Sequence, residues 1–470
     1  MKRIILGALV IAGLMTSEIF AQSTPKILTF EEAVKIAMEN SVLLNQQKNN
    51  LELSQMQKNS SIASIGPNVQ LNGSAYQVNG NSFNNQTGEL INGVRDVVTG
   101  SISANMNVFS GFYRINSIKQ FANQLEAQSY FVNRTSQDVI NTVANQYLLV
   151  MLDVELLKIA KENFDALDKQ LQDVKERVAV GSLSAVDEYN QEALTKGGEL
   201  RYIQAEINLN NDKAQLTQTL LIDPFELFEV ESPNWDINLI GSEKLNIEEL
   251  AAKAKQYRGD YLRAVKTETA SKYSMKAAAG LMMPSIGAFA EVGSAYNFQH
   301  DVPKMIDSVG VIIPNKDYPR PFSDQFRKDN VYKTYGLQLT IPLFNGLQNK
   351  TTYVQQKIQY RNNQMNRKNL EYQINNDVLR TIRNYEGAKK AFAITVDQQK
   401  AAATAFEFET ERYNLGVTSF VDYTNANRVF VQAQTDKAQA EYRLVFQKIL
   451  LEYAVGTLKV EDIVATQTSK

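Results

Sequence analysis

Two aspartates show the clearest chemical spacing in this sequence. Asp187 and Asp422 each stand six residues after a glycine, Gly181 and Gly416, where one long helical pattern stops and the next begins. An aspartate near a helix start is stabilised by the partial positive charge there, and capping alone would account for it. Repeated around a constriction, the same carboxylate would favour cations over anions. Little other chemistry is on offer. The chain has no cysteine, which removes thiolate metal sites, thiol nucleophiles, disulfides and acylation of an N-terminal cysteine. Its one histidine, His300, leaves no histidine pair for a metal site and argues against a Ser-His-Asp triad. His300 opens a polar loop pattern and reads as a bystander. The remaining carboxylates follow solvated helix faces, so no catalytic residue, cofactor or metal is assigned and the chain reads as non-enzymatic. With 49 Lys plus Arg against 51 Asp plus Glu, it lacks the basic surface of a nucleic-acid binder.

The elements that hold these aspartates follow an N-terminal address. Lys2 and Arg3 precede an apolar run from Ile4 to Met15 and a small residue, Ala21, which together read as a signal peptide over residues 1–21. No later stretch has the roughly 18 consecutive apolar residues of a membrane-spanning helix. If the mature chain crosses a membrane, it must do so with strands.

The 470 residues suggest two or three domains by length, but the chain repeats itself instead. Leu28, Glu31, Glu32 and Pro67 match Leu245, Glu248, Glu249 and Pro284, each pair 217 positions apart. Phe109, Gly111, Gly181 and Asp187 match Phe344, Gly346, Gly416 and Asp422, each pair 235 apart. The offset changes once, by 18, between the paired prolines and the paired Phe-x-Gly motifs. This predicts a duplicated unit whose one tolerated length change is an exposed loop. The first repeat spans 22–240, with a hairpin over about 67–109, a long helix over about 114–180, a returning helix over 187–221 and a connector holding the only Trp, Trp235. The second spans 241–456, with a hairpin over about 284–344, a long helix over about 349–415 and a returning helix over 422–455; residues 457–470 form a tail.

Within each hairpin the apolar period is two. Val98, Ile102, Ala104, Met106 and Val108 alternate with Thr99, Ser101, Ser103, Asn105 and Asn107. Tyr335, Leu337, Leu339, Ile341 and Leu343 share one face opposite Thr334, Gln338 and Thr340. Such strands are wetted on one face only. At roughly 10–12 residues they have the length a tilted transmembrane strand needs. Asn79 to Asp96 and Gln299 to Asn330 read as solvated loops between them. Four strands cannot close a barrel, which starts at about eight. The long helices carry a seven-residue apolar repeat through Val143, Tyr147, Val150, Val154, Leu157, Phe164, Leu167, Leu171, Val174 and Val178, which specifies left-handed coiled-coil packing.

These features resemble the TolC-like outer-membrane efflux proteins over nearly all of the mature length. Ile341-Pro342-Leu343-Phe344-Asn345-Gly346 is similar to the family's Pro-Leu-Phe-Asp/Asn-Gly signature. The run from Arg412 through Tyr413, Gly416, Thr418 and Ser419 to Asp422 is similar to its helical tip motif. The resemblance implies an α+β membrane protein: a homotrimer whose three chains supply four strands each to a 12-stranded β-barrel, continuous with an α-helical coiled-coil periplasmic tunnel. It implies a channel in the outer membrane of a Gram-negative bacterium, the exit duct of a tripartite efflux or type I secretion system. Its partners would be outer-membrane lipid, a periplasmic adaptor (membrane fusion) protein and an inner-membrane pump of RND or ABC type. The missing cysteine argues against a lipid-anchored member.

Carried onto this chain, the family's periplasmic gate falls on Asp187, Asp422, Asn425, Tyr413 and Thr418. Adaptor contact falls on Val180, Gly181, Ser182 and Leu183 and on Leu415, Gly416, Val417 and Thr418, with Ala179 and Asn414 at the margins. The chain departs from the family pattern twice. Thr418 stands where an Arg is usual, and Asn425 stands where a second acid is usual. A weaker acidic ring and a differently held closed state are expected. A trimeric coiled-coil structural or adhesive surface protein would explain the helices and the signal peptide, but not two strand hairpins inserted at equal positions.

Overall fold

The computed structural model describes residues 26–84, 89–225, 228–231, 245–300, 304–314 and 320–459. The signal peptide, Trp235 and the end of the tail lie outside them. Two compact units share the chain. One comprises Gln46–Arg134 and Arg258–Gln373; the other comprises Met1–Asn45, Thr135–Tyr257 and Ile374–Lys470.

The longer helices recur at fixed offsets. Helices α1 (Phe30–Asn40) and α2 (Val42–Ala63) match α5 (Ile247–Tyr257) and α6 (Gly259–Gly280) in length, at 11 and 22 residues. Helices α3 (Tyr113–Ala179) and α8 (Gln348–Asn414) both have 67 residues, and α4 (Ala185–Leu220) and α9 (Phe420–Val455) both have 36. The change of offset falls inside the strand region. A single helix was expected before each hairpin; two are present, broken at Ser41 and at Arg258. Ser41 caps with a backbone bond to the Ala37 carbonyl, and nothing in the hydrophobic period announces that local bond.

The strand unit is one antiparallel sheet in the order β2-β3-β5-β8, built from β2 (Asn68–Asn84), β3 (Glu89–Ser110), β5 (Ser285–Gln299) and β8 (Tyr332–Thr340). Its register places Leu71 opposite Ile102, Ile102 opposite Val292, and Ala288 opposite Leu337. One face is therefore apolar over this stretch, apart from Lys333 opposite Val292. The other carries Gln70, Ser103, Glu291 and Thr334, also paired in register. Leu71 and Leu337 remain 79% and 75% exposed on the apolar face, so a single chain does not bury that face.

Two expectations about length need correction. The first hairpin's strands have 17 and 22 residues rather than about 12, because the Asn- and Gly-rich stretch from Asn79 continues the ladder instead of looping out. Strand β8 ends at Thr340, two residues before Pro342, so Ile341 and Leu343 are not on it. Proline has no N–H to give a ladder. A bulge after Asn107 also takes Val108 out of pairing. The longer connection between β5 and β8 holds a small hairpin, β6 (Lys304–Ile306) and β7 (Ile312–Pro314), then the short helix α7 (Phe322–Asp324) running into a π-turn, Gln325–Asp329. After each sheet segment the Phe-x-Gly motif swings the chain into the long helix. Consecutive left-handed residues do this: Gly111 and Phe112 at φ 59° and 64°, and Gly346 and Leu347 at 64° and 65°.

In the helical unit the apolar seam buries Val143, Tyr147, Val150, Leu167, Leu171 and Val174 on α3, and Val378, Ile382 and Tyr385 on α8. Val154, expected on the seam, is 38% exposed. A short parallel pair that the sequence reading missed joins β1 (Lys26–Leu28), just before α1, to β4 (Phe228–Val230) in the connector. Tyr147 ties it to α3, donating to the Leu28 and Glu231 carbonyls at 2.8 and 3.0 Å. Asp153 on α3 is buried beside Asp212 of α4. Burial first, then the second carboxyl, pushes it up to about 7.

Candidate functional site at the helical turns

Both long helices end in the same turn. Gly181 and Gly416 take the left-handed conformation at φ 77° and 72°, which glycine adopts without a Cβ penalty. The Ser182 N–H reaches back to the Arg177 carbonyl at 2.8 Å, and the Val417 N–H to the Arg412 carbonyl at 2.9 Å. This six-to-one bond, with a glycine before it, is a Schellman closure that satisfies carbonyls left over at the helix end. Val180, Leu415 and Val417 project from the two turns with 81%, 78% and 65% of their surface exposed. Ser182 is also exposed, whereas Leu183 and Thr418 are half-buried.

The returning helices start on serines. Ser184 and Ser419 are extended N-caps whose side chains accept from the Asp187 and Asp422 N–H groups at 3.3 and 3.2 Å. Each aspartate answers. The Ser184 hydroxyl and N–H donate to Asp187 Oδ2 at 2.8 and 3.1 Å, and the Ser419 hydroxyl donates to Asp422 Oδ2 at 2.7 Å. Both aspartates are thus third-position helix caps, whatever else they do. Asp422 is exposed and Asp187 half-buried. The Ser419 hydroxyl, with help from its backbone, Thr418 and Arg412, holds the Asp422 carboxyl below the usual carboxylate range.

The second turn carries contacts that the first does not. Thr418 donates to Glu409 Oε1, and Arg412 Nη1 pairs with Glu409 Oε2 at 3.0 Å. Glu409 is the residue that sequence reasoning missed. Its counterpart 235 positions earlier is Val174, a seam residue, so a carboxylate on the seam position was the available signal. Tyr413 stacks on Tyr423 with centroids 4.9 Å apart, and Phe406 extends this aromatic packing to Tyr423 and to Phe430. The first hairpin instead uses Gln191 and Thr195, which both donate to the Leu167 carbonyl. Burial raises the Tyr413 phenol above its ordinary range, reinforced by the Asp187 carboxylate and opposed by Arg177. The two turns, distant in sequence, are therefore electrostatic neighbours in one chain. Asn425 accepts from Arg428 at 2.8 Å and stays exposed.

Elsewhere, His300 Nε2 lies 3.0 Å from Asp96 Oδ2, so the loop histidine has a specific partner. Among the described residues no group of three or more His, Cys, Asp or Glu side chains could hold a metal ion.

Known proteins share this fold. A family model described as outer membrane efflux protein matches residues 33–220 and 250–457. The outer membrane protein TolC of Vibrio cholerae is 21% identical over 377 residues, covering 78% of each chain. The crystal structure of the outer membrane protein VceC from Vibrio cholerae superposes with a TM-score of 0.75 at 14% identity, covering 91% of this chain and 96% of that one. The CmeC outer membrane channel of Campylobacter jejuni gives 0.73 at 14%, covering 93% and 89%. With both repeats matched by one family model, and the sheet and paired helices shared with solved outer-membrane channels, this chain belongs to the outer membrane efflux protein family and acts at the outer membrane as an efflux duct.

Proposed function

We propose that three copies of the chain form the working channel, β8 of each pairing with β2 of the next to close a barrel of twelve strands. One observation carries this reading. The four-stranded sheet is apolar on one face, polar on the other and open at both edges, β2 and β8. An open edge must find a partner, and four strands are too few to close alone. The polar face then lines water, and the helical hairpins of the three copies enclose a periplasmic tunnel. Substrates enter it from an inner-membrane pump of RND or ABC type through a periplasmic adaptor.

The tips serve two roles in this proposal. Val180, Gly181, Ser182 and Leu183, with Leu415, Gly416, Val417 and Thr418, receive the adaptor; exposed apolar side chains around a tight glycine turn favour close docking of another helical tip. Asp187 and Asp422 form acidic rings at the periplasmic constriction, with Tyr413 and Asn425 beside them. In place of an arginine after the glycine, Thr418 and Arg412 converge on Glu409 to hold the second turn.

The test is fractionation and conductance. The protein should fractionate with outer membranes, migrate as a heat-sensitive trimer and conduct ions in a planar bilayer. A soluble monomer without conductance would overturn the reading. Crosslinking from Val417 should capture an adaptor protein, and capture from the barrel strands alone would reject the tip assignment.

A further inference from the structure

The outer part of β5 runs on without β8. Strand β8 begins at Tyr332, opposite Gly293, whereas β5 continues to Gln299. The loop segment 320–330 covers that edge with side chains. Gln325, which is buried, accepts from the Asn297 N–H and donates to the Asn297 and Arg320 carbonyls, all at 3.1 Å. Asn330 donates to the Ala295 carbonyl at 2.7 Å. So fixed, the segment lays two stacked rings, Phe322 and Phe326 with centroids 5.1 Å apart, against the sheet. A Cβ on Gly100 would stand 2.9 Å from the Phe326 ring, and Phe322 meets Tyr296 edge-on at 5.0 Å. Gly100 and Tyr296 are in register with the face that carries Val98, Ile102 and Leu71. The loop thus adds aromatic rings to the lipid-facing side.

These rings lie part-way along the sheet, with Gly100 ten residues before the end of β3 that leads into α3 and Tyr296 eleven residues after the start of β5 that follows α6. A tilted strand crosses a bilayer in about 9–11 residues, so this is the level of the extracellular headgroups, and β2 and β3 continue beyond it. Outer-membrane barrels carry girdles of aromatic side chains at both edges of their apolar band. Cations accompany them here. Arg327 and Lys328 directly follow Phe326, and Lys333 tops the β8 stripe of Leu339, Leu337 and Tyr335. Asp324 engages Lys328 at 3.5 Å and Asp329 engages Arg320 at 2.8 Å. Exposed Arg327 and Lys333 have no acidic partner among the described residues.

We propose that this corner binds the phosphorylated glycolipid of the outer leaflet, with acyl chains against Phe322, Phe326 and Tyr335 and headgroup phosphate on Arg327 and Lys333. Guanidinium and ammonium groups suit phosphate oxygens, and the apolar surface beneath continues the lipid-facing band. A soluble anion could use the cations but not the rings. The proposal rests on the outer-membrane placement of the sheet.

The experiment is native mass spectrometry of the purified channel with three probes: bis-phosphorylated lipid A, the same lipid enzymatically dephosphorylated, and inorganic phosphate. The phosphorylated lipid should bind at least about tenfold more tightly than the dephosphorylated one and resist displacement by an equal concentration of phosphate. Arg327→Gln with Lys333→Gln should lower that affinity about tenfold, and Phe322→Ala with Phe326→Ala should weaken binding of both lipids. Equal binding of the two lipids, displacement by equimolar phosphate, or wild-type affinity in the Arg327/Lys333 variant would each overturn the proposal. Binding is scored only on protein that runs as a heat-sensitive trimer, so failure of the channel reading appears in that control rather than in the lipid arms. Should the phenylalanine variant fail to assemble, the surface variant decides alone.

Discussion

Asp422 shows how one carboxylate can satisfy two demands that a sequence cannot separate. Its N–H and Oδ2 both engage Ser419, so it caps α9, and its charge also stands exposed beside the tip. Asparagine keeps an oxygen acceptor at this position and removes the charge. Asp422→Asn should therefore lower cation preference and block by multivalent cations in a bilayer recording while leaving the melting temperature nearly unchanged. Unchanged selectivity would reject the lumen assignment and leave the cap as its only role. The paired spacing of glycine and aspartate made both residues legible in the sequence. The Thr418, Glu409 and Arg412 contacts were not, because they join residues on opposite sides of a turn whose geometry depends on Gly416.

At the scale of elements, the helical hairpin between α3 and α4 holds a titratable pair that periodicity does not reveal. Asp153 is 7% exposed, and burial together with Asp212 raises its carboxyl to about 7, above the ordinary value of 3.8. A carboxyl raised on folding binds its proton more tightly in the native state. Its contribution to stability is fully present below about pH 4 and is lost as pH rises through about 7. Asp153→Asn should flatten this dependence and stabilise the hairpin at neutral pH by on the order of 2 kcal/mol, read as melting temperature against pH. A variant whose melting curve keeps the wild-type slope between pH 4 and 7 would show that Asp153 is not the titrating group. The helices themselves were readable to within two residues at most ends, since their apolar period and the absence of proline persist for many turns. The breaks at Ser41 and Arg258 and the pairing of β1 with β4 were not, because each is settled by a local backbone bond or a distant partner.

For the whole molecule, duplication gives a rule about what can be removed. The second hairpin carries 18 more positions than the first, and β6 and β7 lie within that stretch. The first half reaches the same long helix without them. Replacing residues 304–314 by a short Gly-Ser link should leave a heat-sensitive trimer of unchanged conductance. Loss of the trimer would show that the β6–β7 hairpin knits chains together. The segment from Arg320 to Asn330 is different, because Gln325 and Asn330 occupy the edge of β5 that β8 leaves open. Its removal should expose that edge.

The sequence by itself determined the duplication, the strand faces, the long helices and the glycine turns. These follow from periodicity and from residues whose backbone limits are local. Only the tertiary structure decided that both aspartates are bound as caps, that Glu409 gathers Thr418 and Arg412, and that a loop folds two phenylalanines onto the apolar face of the sheet. Those arrangements depend on which side chains meet after the chain turns back on itself. A one-dimensional pattern carries the period of an element but not the distance between two of them.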